Sequence, residues 1–317
     1  MRGTRLPEWL IERGIGETRF ARIEQGEIVE ARILLDNIVP AGSELTGRLQ
    51  RSGMQLFLTV DGQQYLLPDG APGVADGGQV RAQVVREKIP GAEAWKRPLA
   101  RVAQVPSAEP LPQGRGLPLT VKNELDEAGW DDLIEEARTG IVQFESGELR
   151  IFPTPAMTLI DVDGMDDLTR LATSAARSAC RAILRLGIGG SIGIDFPTLG
   201  GKQARAQVAS EIDQNLPPPF ERTVLNGFGF LQIVRPRRHA SLLELAQDRA
   251  AFEARALLRR IANDRTGPTR LVGHPSVVAV LKRQSDWLAA LARQIGGQAT
   301  LRSDATLPIH GGYGEAG

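Results

Sequence analysis

Two apolar runs that each end in an aspartate, separated by one helix-sized amphipathic segment, restrict this chain's fold more than any other feature. The first run is Ala156-Met157-Thr158-Leu159-Ile160, closed by Asp161; the second is Ser191-Ile192-Gly193-Ile194, closed by Asp195. The pattern reads strand, helix, strand. Such a crossover makes the strands parallel and brings both carboxyl ends to one edge of a sheet. Ligands bind at that edge in open α/β sheets. Two carboxylates placed there repel each other unless a proton or a divalent cation lies between them. Asp161 and Asp163 flank Val162, so in an extended strand both face one side. Three carboxylates converging on Mg²⁺, which takes oxygen ligands and keeps several waters, point to metal-assisted phosphoryl chemistry. The plainer reading is that an aspartate at a strand end is a turn or cap residue, and Asp163-Gly164 is a common turn pair.

The rest of the chain supplies the frame. Periodicity predicts helices near 166–186, 202–214, 241–263 and 276–295, and strands near 156–161, 191–195, 223–234, 269–273 and 299–303. That alternation specifies a mixed α/β class. Ser241 with Glu244 reads as a capping box, and Gly187 as a helix stop. Upstream, residues 8–35 are β-rich, and short runs at 44–49, 54–60, 64–67 and 79–86 suggest a small barrel over 38–104. Pro106, Pro110, Pro112, Gly114, Gly116 and Pro118 give 105–120 a linker composition. A helix at 131–139 and a hairpin of 141–144 and 148–152 follow.

Composition excludes several classes. Lys plus Arg and Asp plus Glu both total 38, so net charge names no partner. The charge is uneven: residues 81–101 carry a local +4 and 123–150 a local −7. A neutral protein still binds nucleic acid when its basic residues share a face, although solvated surface is the simpler account. Cys180 is the single cysteine, which rules out an intrachain disulfide and a multi-cysteine zinc site. No run reaches the roughly 20 apolar residues that span a bilayer. Met1-Arg2-Gly3-Thr4-Arg5 lacks the apolar stretch of a signal peptide, so a cytoplasmic location without membrane contact is the expectation.

Three further clusters carry weight. Gly187-Ile188-Gly189-Gly190-Ser191-Ile192-Gly193 follows a helix and opens a strand, the reverse of a dinucleotide fingerprint. Phe57 and Tyr65 flank the Asp61-Gly62 turn. Paired across a hairpin they would form a stacking surface for unpaired bases; alternatively they fill the barrel core. Arg235, Arg237 and Arg238 follow the apolar run 230–234, where they suit phosphate contacts or a solvated loop. His239, His274 and His310 lack metal-ligand spacing.

At these residues the chain resembles the catalytic region of the ribonuclease E/G family. EEARTGIVQFESGELRIFPTPAMTLIDVDG over 135–164 is similar to the family's hairpin and strand ending in its first catalytic Asp. LGIGGSIGIDF over 186–196 resembles the segment ending in the second, and FGFLQIVR over 228–235 resembles the family's "FGLLEMTR". The resemblance implies a DNase I-like catalytic domain at 153–317 and an RNase H-like element from 1–37 and 121–152. It also implies an OB-type RNA-binding barrel at 38–104, inserted ahead of the 105–120 linker. It implies a Mg²⁺-dependent endoribonuclease that hydrolyses single-stranded RNA in processing or decay, leaving a 5′-phosphate and a 3′-hydroxyl. By it, Asp161 and Asp195 bind Mg²⁺ or Mn²⁺, and Asp163 completes the catalytic set in place of the family's Asn. Phe57 and Tyr65 stack bases, while Lys88, Lys96, Arg97, Arg235, Arg237 and Arg238 hold the backbone. Asp195 follows Asp161 by only 34 positions, and the family's Arg-bearing loop, 5′-monophosphate-reading insertion and cysteine pair are missing. No zinc and no zinc-linked assembly are therefore expected, and a homodimer is left open. The alternative is a non-catalytic RNA-binding protein derived from the same family.

Overall fold

The computed structural model describes residues 8–90, 96–102, 111–118 and 123–317. It is a mixed α/β chain with three open sheets and a closed five-stranded barrel. Contacts divide it into two compact units. One comprises Met1–Asp36, Gln113–Ile134 and Leu245–Gly317; the other comprises Asn37–Pro112 and Glu135–Glu244. The expected catalytic span, 153–317, thus falls partly in each.

The chain begins with an antiparallel meander of β1 (Glu8–Arg13), β2 (Glu17–Glu24) and β3 (Glu27–Leu35). The barrel follows: β4 (Glu44–Ser52), β5 (Gln55–Val60), β6 (Gln63–Leu66), β7 (Gln79–Arg86) and β8 (Leu99–Arg101), closed in the order β4-β5-β6-β8-β7. Its interior is filled by Leu49, Leu58, Tyr65, Val80 and Val84. The chain then returns as β9 (Arg115–Leu117), parallel to β1. The barrel is therefore an insertion between β3 and β9, the two edge strands of the first sheet. The linker expectation is corrected here: its described part contains β9, a strand too short and too rich in flanking glycine and proline to read locally. Residues 105–110 and 119–120 of that span lie outside the described residues.

Next come α1 (Glu124–Glu127), α2 (Trp130–Thr139), and a hairpin of β10 (Ile141–Phe144) and β11 (Gly147–Pro153). Strand β12 (Thr158–Gly164), helix α3 (Leu168–Arg185) and strand β13 (Gly190–Asp195) form the crossover unit read from the sequence, with β12 and β13 parallel. Helix α3 stops where the Gly187 and Ile188 N–H groups donate to the Leu184 and Ile183 carbonyls at 3.1 and 2.8 Å. Helix α4 (Lys202–Asn215) packs on α3. The expected strand at 223–234 is instead β14 (Glu221–Arg222), a loop, and β15 (Phe230–Arg235), which runs antiparallel to β13. The resulting sheet has the order β10-β11-β12-β13-β15-β14. Cys180 lies fully buried in α3, and burial pushes its thiol up to about 12, as befits a small core residue.

Two long helices expected near the C-terminus are each broken. Residues 241–263 form α5 (Leu242–Gln247) and α6 (Arg249–Asp264), because Asp248 caps the second helix by accepting from the Ala251 N–H. The Ser241–Glu244 capping box is present: each residue's backbone N–H donates to the other's side chain. Strand β16 (Thr269–Gly273), helices α7 (Pro275–Arg283) and α8 (Ser285–Ile295), and strands β17 (Ala299–Ser303) and β18 (Tyr313–Ala316) complete the chain; the strands form a sheet β17-β16-β18. No helix of the described residues is long and apolar enough to cross a membrane.

A buried ionic network joins three remote segments of the first unit. Glu12 of β1 is 0 % exposed. It accepts from Arg19 at 2.5 Å, from Arg259 Nε and NH2 at 2.8 and 3.1 Å, and from Asn123 Nδ2 at 2.6 Å. Arg19 also pairs with Glu17 at 2.6 Å, Arg255 with Glu17 at 2.8 Å, and Arg259 with Asp126 at 2.7 Å. The Arg259 guanidinium lies 5.8 Å from the Trp130 ring centroid, a cation–π distance. Burial alone would raise the Glu12 carboxyl, but the Arg259 hydrogen bond, the Arg19 and Arg259 charges and the Asn123 amide outweigh it and hold it below the ordinary value. A depressed carboxyl stabilises the fold above its unfolded pKa, and that stability is lost as pH falls through the folded value. Glu12→Ala should therefore destabilise the protein by about 3–5 kcal/mol in urea at pH 7, since it leaves two buried guanidiniums uncompensated. The deficit should shrink as pH drops below about 4. An equal deficit at both pH values would refute the ionic account.

Candidate functional site

The six-stranded sheet has one covered and one open face. Val142, Leu149, Ile151, Ile160, Val162, Ile192, Ile194, Leu231 and Ile233 are buried, with α3 packed against β10, β11 and β12. Because side chains alternate along a strand, the intervening residues share the other face. That face carries Glu148, Arg150 and Phe152 from β11, Leu159, Asp161 and Asp163 from β12, Gly193 and Asp195 from β13, and Phe230, Gln232 and Val234 from β15.

Asp161 and Asp195 are direct partners in the parallel pairing of β12 and β13, at the carboxyl ends of both strands. Neighbouring strands lie about 4.8 Å apart, so the two carboxylates stand side by side. The electrostatics agree. The Asp161 carboxyl is raised by partial burial, then by the charges of Asp163 and Asp195; the Val162 backbone hydrogen bond and Arg150 act in the opposite direction.

Asp163 behaves differently. It sits opposite Glu148, and its Oδ2 is 3.2 Å from Arg150 Nε. Arg150 also reaches Glu148 at 2.7 Å and is the register partner of Asp161. Of the three expected carboxylates, Asp163 is thus ion-paired to Arg150, while its charge still acts on Asp161 ahead of that of Asp195. Among the described residues no group of three or more His, Cys, Asp or Glu is placed to hold a metal. Two carboxylates offering oxygen ligands still fit Mg²⁺ or Mn²⁺, because such ions keep several waters. Arg150 was not singled out in the sequence, although the alternation of 148–152 places it beside Asp161.

Loop 223–229 borders the same edge. Asn226 Oδ1 accepts from the Phe228 and Phe230 N–H groups at 2.9 and 3.0 Å, and the Gly229 carbonyl accepts from Phe196 N–H at 2.9 Å. Gly229 has φ +96, and an added Cβ would lie 2.1 Å from the Phe196 carbonyl oxygen, so only glycine fits there. This ordered turn leaves Phe228 86 % exposed.

The other expected contacts divide. Tyr65 is 4 % exposed, and burial in the barrel core pushes its hydroxyl up. Phe57 is 8 % exposed and pairs with Leu66, while Tyr65 pairs with Leu58. The two rings therefore point to opposite faces of the hairpin and form no common stacking surface, which corrects that expectation. Lys88 and Arg97 are exposed on the segment after β7. Lys96 Nζ donates to the Pro155 carbonyl at 3.0 Å, at the end of β11 remote from Asp163. Arg235 pairs with Gly190, five residues from Asp195 along β13, and follows Leu231 and Ile233 in alternation onto the covered face. Its charge is felt by the Cys180 thiol beneath the sheet. Arg237 is ion-paired with Glu244, and the Arg238 carbonyl accepts from Glu87 N–H at 2.8 Å. The 235–238 cluster thus lies at the opposite sheet edge from the aspartates.

The chain matches no protein-family model and no curated protein.

Because the Asp161 carboxyl is raised, ionising it opposes folding across the interval between its unfolded and folded pKa values. Asp161→Asn should gain stability relative to wild type as pH rises from about 3.5 to 6.5. Millimolar Mg²⁺ should reverse that gain at pH 6.5 by stabilising wild type alone. A flat pH difference in urea melts would show that the neighbouring charges do not act on Asp161.

Proposed function

We propose that this protein is a metal-dependent endoribonuclease that hydrolyses single-stranded RNA. The observation that carries the reading is the side-by-side placement of Asp161 and Asp195 at the carboxyl ends of parallel β12 and β13, with Asp161 raised in part by its neighbours' charge. Like charges held together at a ligand-binding sheet edge call for a cation. The resemblance of residues 135–164, 186–196 and 228–235 to the ribonuclease E/G catalytic region supports RNA as substrate and a DNase I-like catalytic fold with an RNase H-like element. The inserted closed barrel is consistent with that arrangement.

Asp161 and Asp195 would hold Mg²⁺ or Mn²⁺. A bound divalent cation supplies Lewis acidity toward a phosphodiester oxygen and orients water. Arg150 offsets the negative charge of Glu148, Asp161 and Asp163, which allows a phosphate to approach an otherwise acidic edge. Asp163 is held at the rim by its ion pair with Arg150, where it would orient water. The exposed cations Lys88 and Arg97, with Lys96, add salt-sensitive backbone affinity.

One observation favours a non-catalytic RNA-binding protein as the second reading: Arg150 competes with a cation for the third carboxylate, Asp163. The deciding experiment incubates the protein with a fluorescein-labelled, unstructured A/U-rich RNA in Mg²⁺ or EDTA, beside Asp195→Asn. The expected result is Mg²⁺-dependent internal cleavage that falls on the order of 10²-fold or more in the variant, the loss of several kcal/mol of charge stabilisation. RNA that stays intact at every Mg²⁺ concentration yet shifts in a binding assay would establish the second reading.

A further inference from the structure

Around the aspartate pair the open sheet face is aromatic. Phe152 of β11 is 52 % exposed and pairs with Leu159, two positions along β12 from Asp161 and so about 7 Å away along the strand. Phe230 is the register partner of Asp195. Its ring and the Leu159 side chain cover Gly193: a Cβ there would lie 2.5 Å from Phe230 Cζ and 3.1 Å from Leu159 Cδ2. Glycine at that position lets the ring lie across the sheet. Phe228 is held out into solvent beside the same edge by the Asn226 turn. Phe152 on a strand and Phe228 in an ordered turn expose their rings beside Leu159 and Phe230, and apolar groups gathered on one face in this way form a binding surface.

Charge orders these groups. The carboxylate pair, which would hold the cation, stands at one end of the strip, with Phe230 level with Asp195; Phe152 lies one step along it, and Lys96 is fixed to the Pro155 carbonyl past the end of β11. With a divalent cation on the aspartates, positive charge at both ends and apolar planar surfaces between them would match a short single strand, whose phosphates are anionic and whose bases stack. The patch of Phe152, Leu159 and Phe230 is narrow and bounded by Gln232, Arg150 and the acidic groups, whereas a protein partner would be better matched by a broader apolar surface.

The geometry points to Phe152, Phe228 and Phe230 as a base-stacking platform that positions a single-stranded nucleic acid across the aspartate pair. The inference rests on the nuclease reading for its substrate class, and it moves base stacking from the barrel, where Tyr65 is buried, to the catalytic sheet. The platform sets which nucleotides flank the scissile phosphate, by stacking and without base-specific hydrogen bonds.

The test measures fluorescence anisotropy with a fluorescein-labelled single-stranded RNA and with an abasic strand of equal length. The parent is Asp195→Asn, so that the RNA stays intact. Phe152→Ala and Phe228→Ala change exposed side chains and should each weaken binding of the base-bearing strand about tenfold, within the range measured for one lost stack, and leave the abasic strand unaffected. Phe228→Tyr should bind like the parent. Cleavage is followed separately with Asp195 intact. Variants that bind like the parent while wild type cleaves in Mg²⁺ would overturn the platform and spare the nuclease reading. Wild type that neither cleaves nor binds either strand would overturn both. A dimer in sedimentation velocity that Phe152→Ala dissociates would assign the face to a second copy and overturn the platform.

Discussion

The carboxylate of Glu12, enclosed by two guanidiniums and an amide, is the interaction on which the first unit depends. Its partners come from β2, from the cap of α1 and from α6, and Arg259 is 247 positions away in sequence. A buried ion pair is a weak source of stability compared with an apolar core of equal volume. It is a strong source of specificity, because each guanidinium accepts only a geometry that satisfies its fork. The network therefore fixes which strand meets which helix more than it adds free energy. Between the segments it fastens, the chain makes two long excursions, one through the barrel and one through the six-stranded sheet. Closing loops of that length costs little more than closing moderate ones.

The six-stranded sheet shows a different economy of charge. Its covered face is apolar and well filled, so the strand registers are strongly determined. That determinacy is what holds Asp161 beside Asp195 against their mutual repulsion. A one-residue slip would send both aspartates into the helix layer and Ile160 and Ile194 into water. The core thus supplies the force that keeps like charges together, and the same crossover that makes β12 and β13 parallel keeps their ends level.

Much of this was legible in the sequence. The crossover unit could be read because period-2 alternation, a helix-length amphipathic segment and a handedness rule all act locally. The capping box at Ser241 and the helix stop at Gly187 are likewise short-range. What escaped was long-range. Strand β9 is three residues whose pairing with β1 lies about a hundred positions away, so nothing local announces it. Tyr65 and Phe57 point apart because of hairpin register, which composition does not encode. Arg150 became part of the site only once β11 was laid beside β12. Glu12, Arg19, Arg255 and Arg259 carry no local sign of burial, since burial of a charged residue is decided by partners elsewhere in the chain.

The discontinuous first unit has a consequence for how the protein is made. Strands β1 to β3 leave the ribosome well before α6, which completes their charge network and is encoded more than two hundred residues later. Until then this sheet stands without its helix. Glutamate and arginine on the side that will be interior keep the waiting sheet hydrated and unattractive to other strands. An apolar layer in their place would be stickier during that interval. The charges that look wasteful in the finished protein let these strands stay idle until α6 arrives.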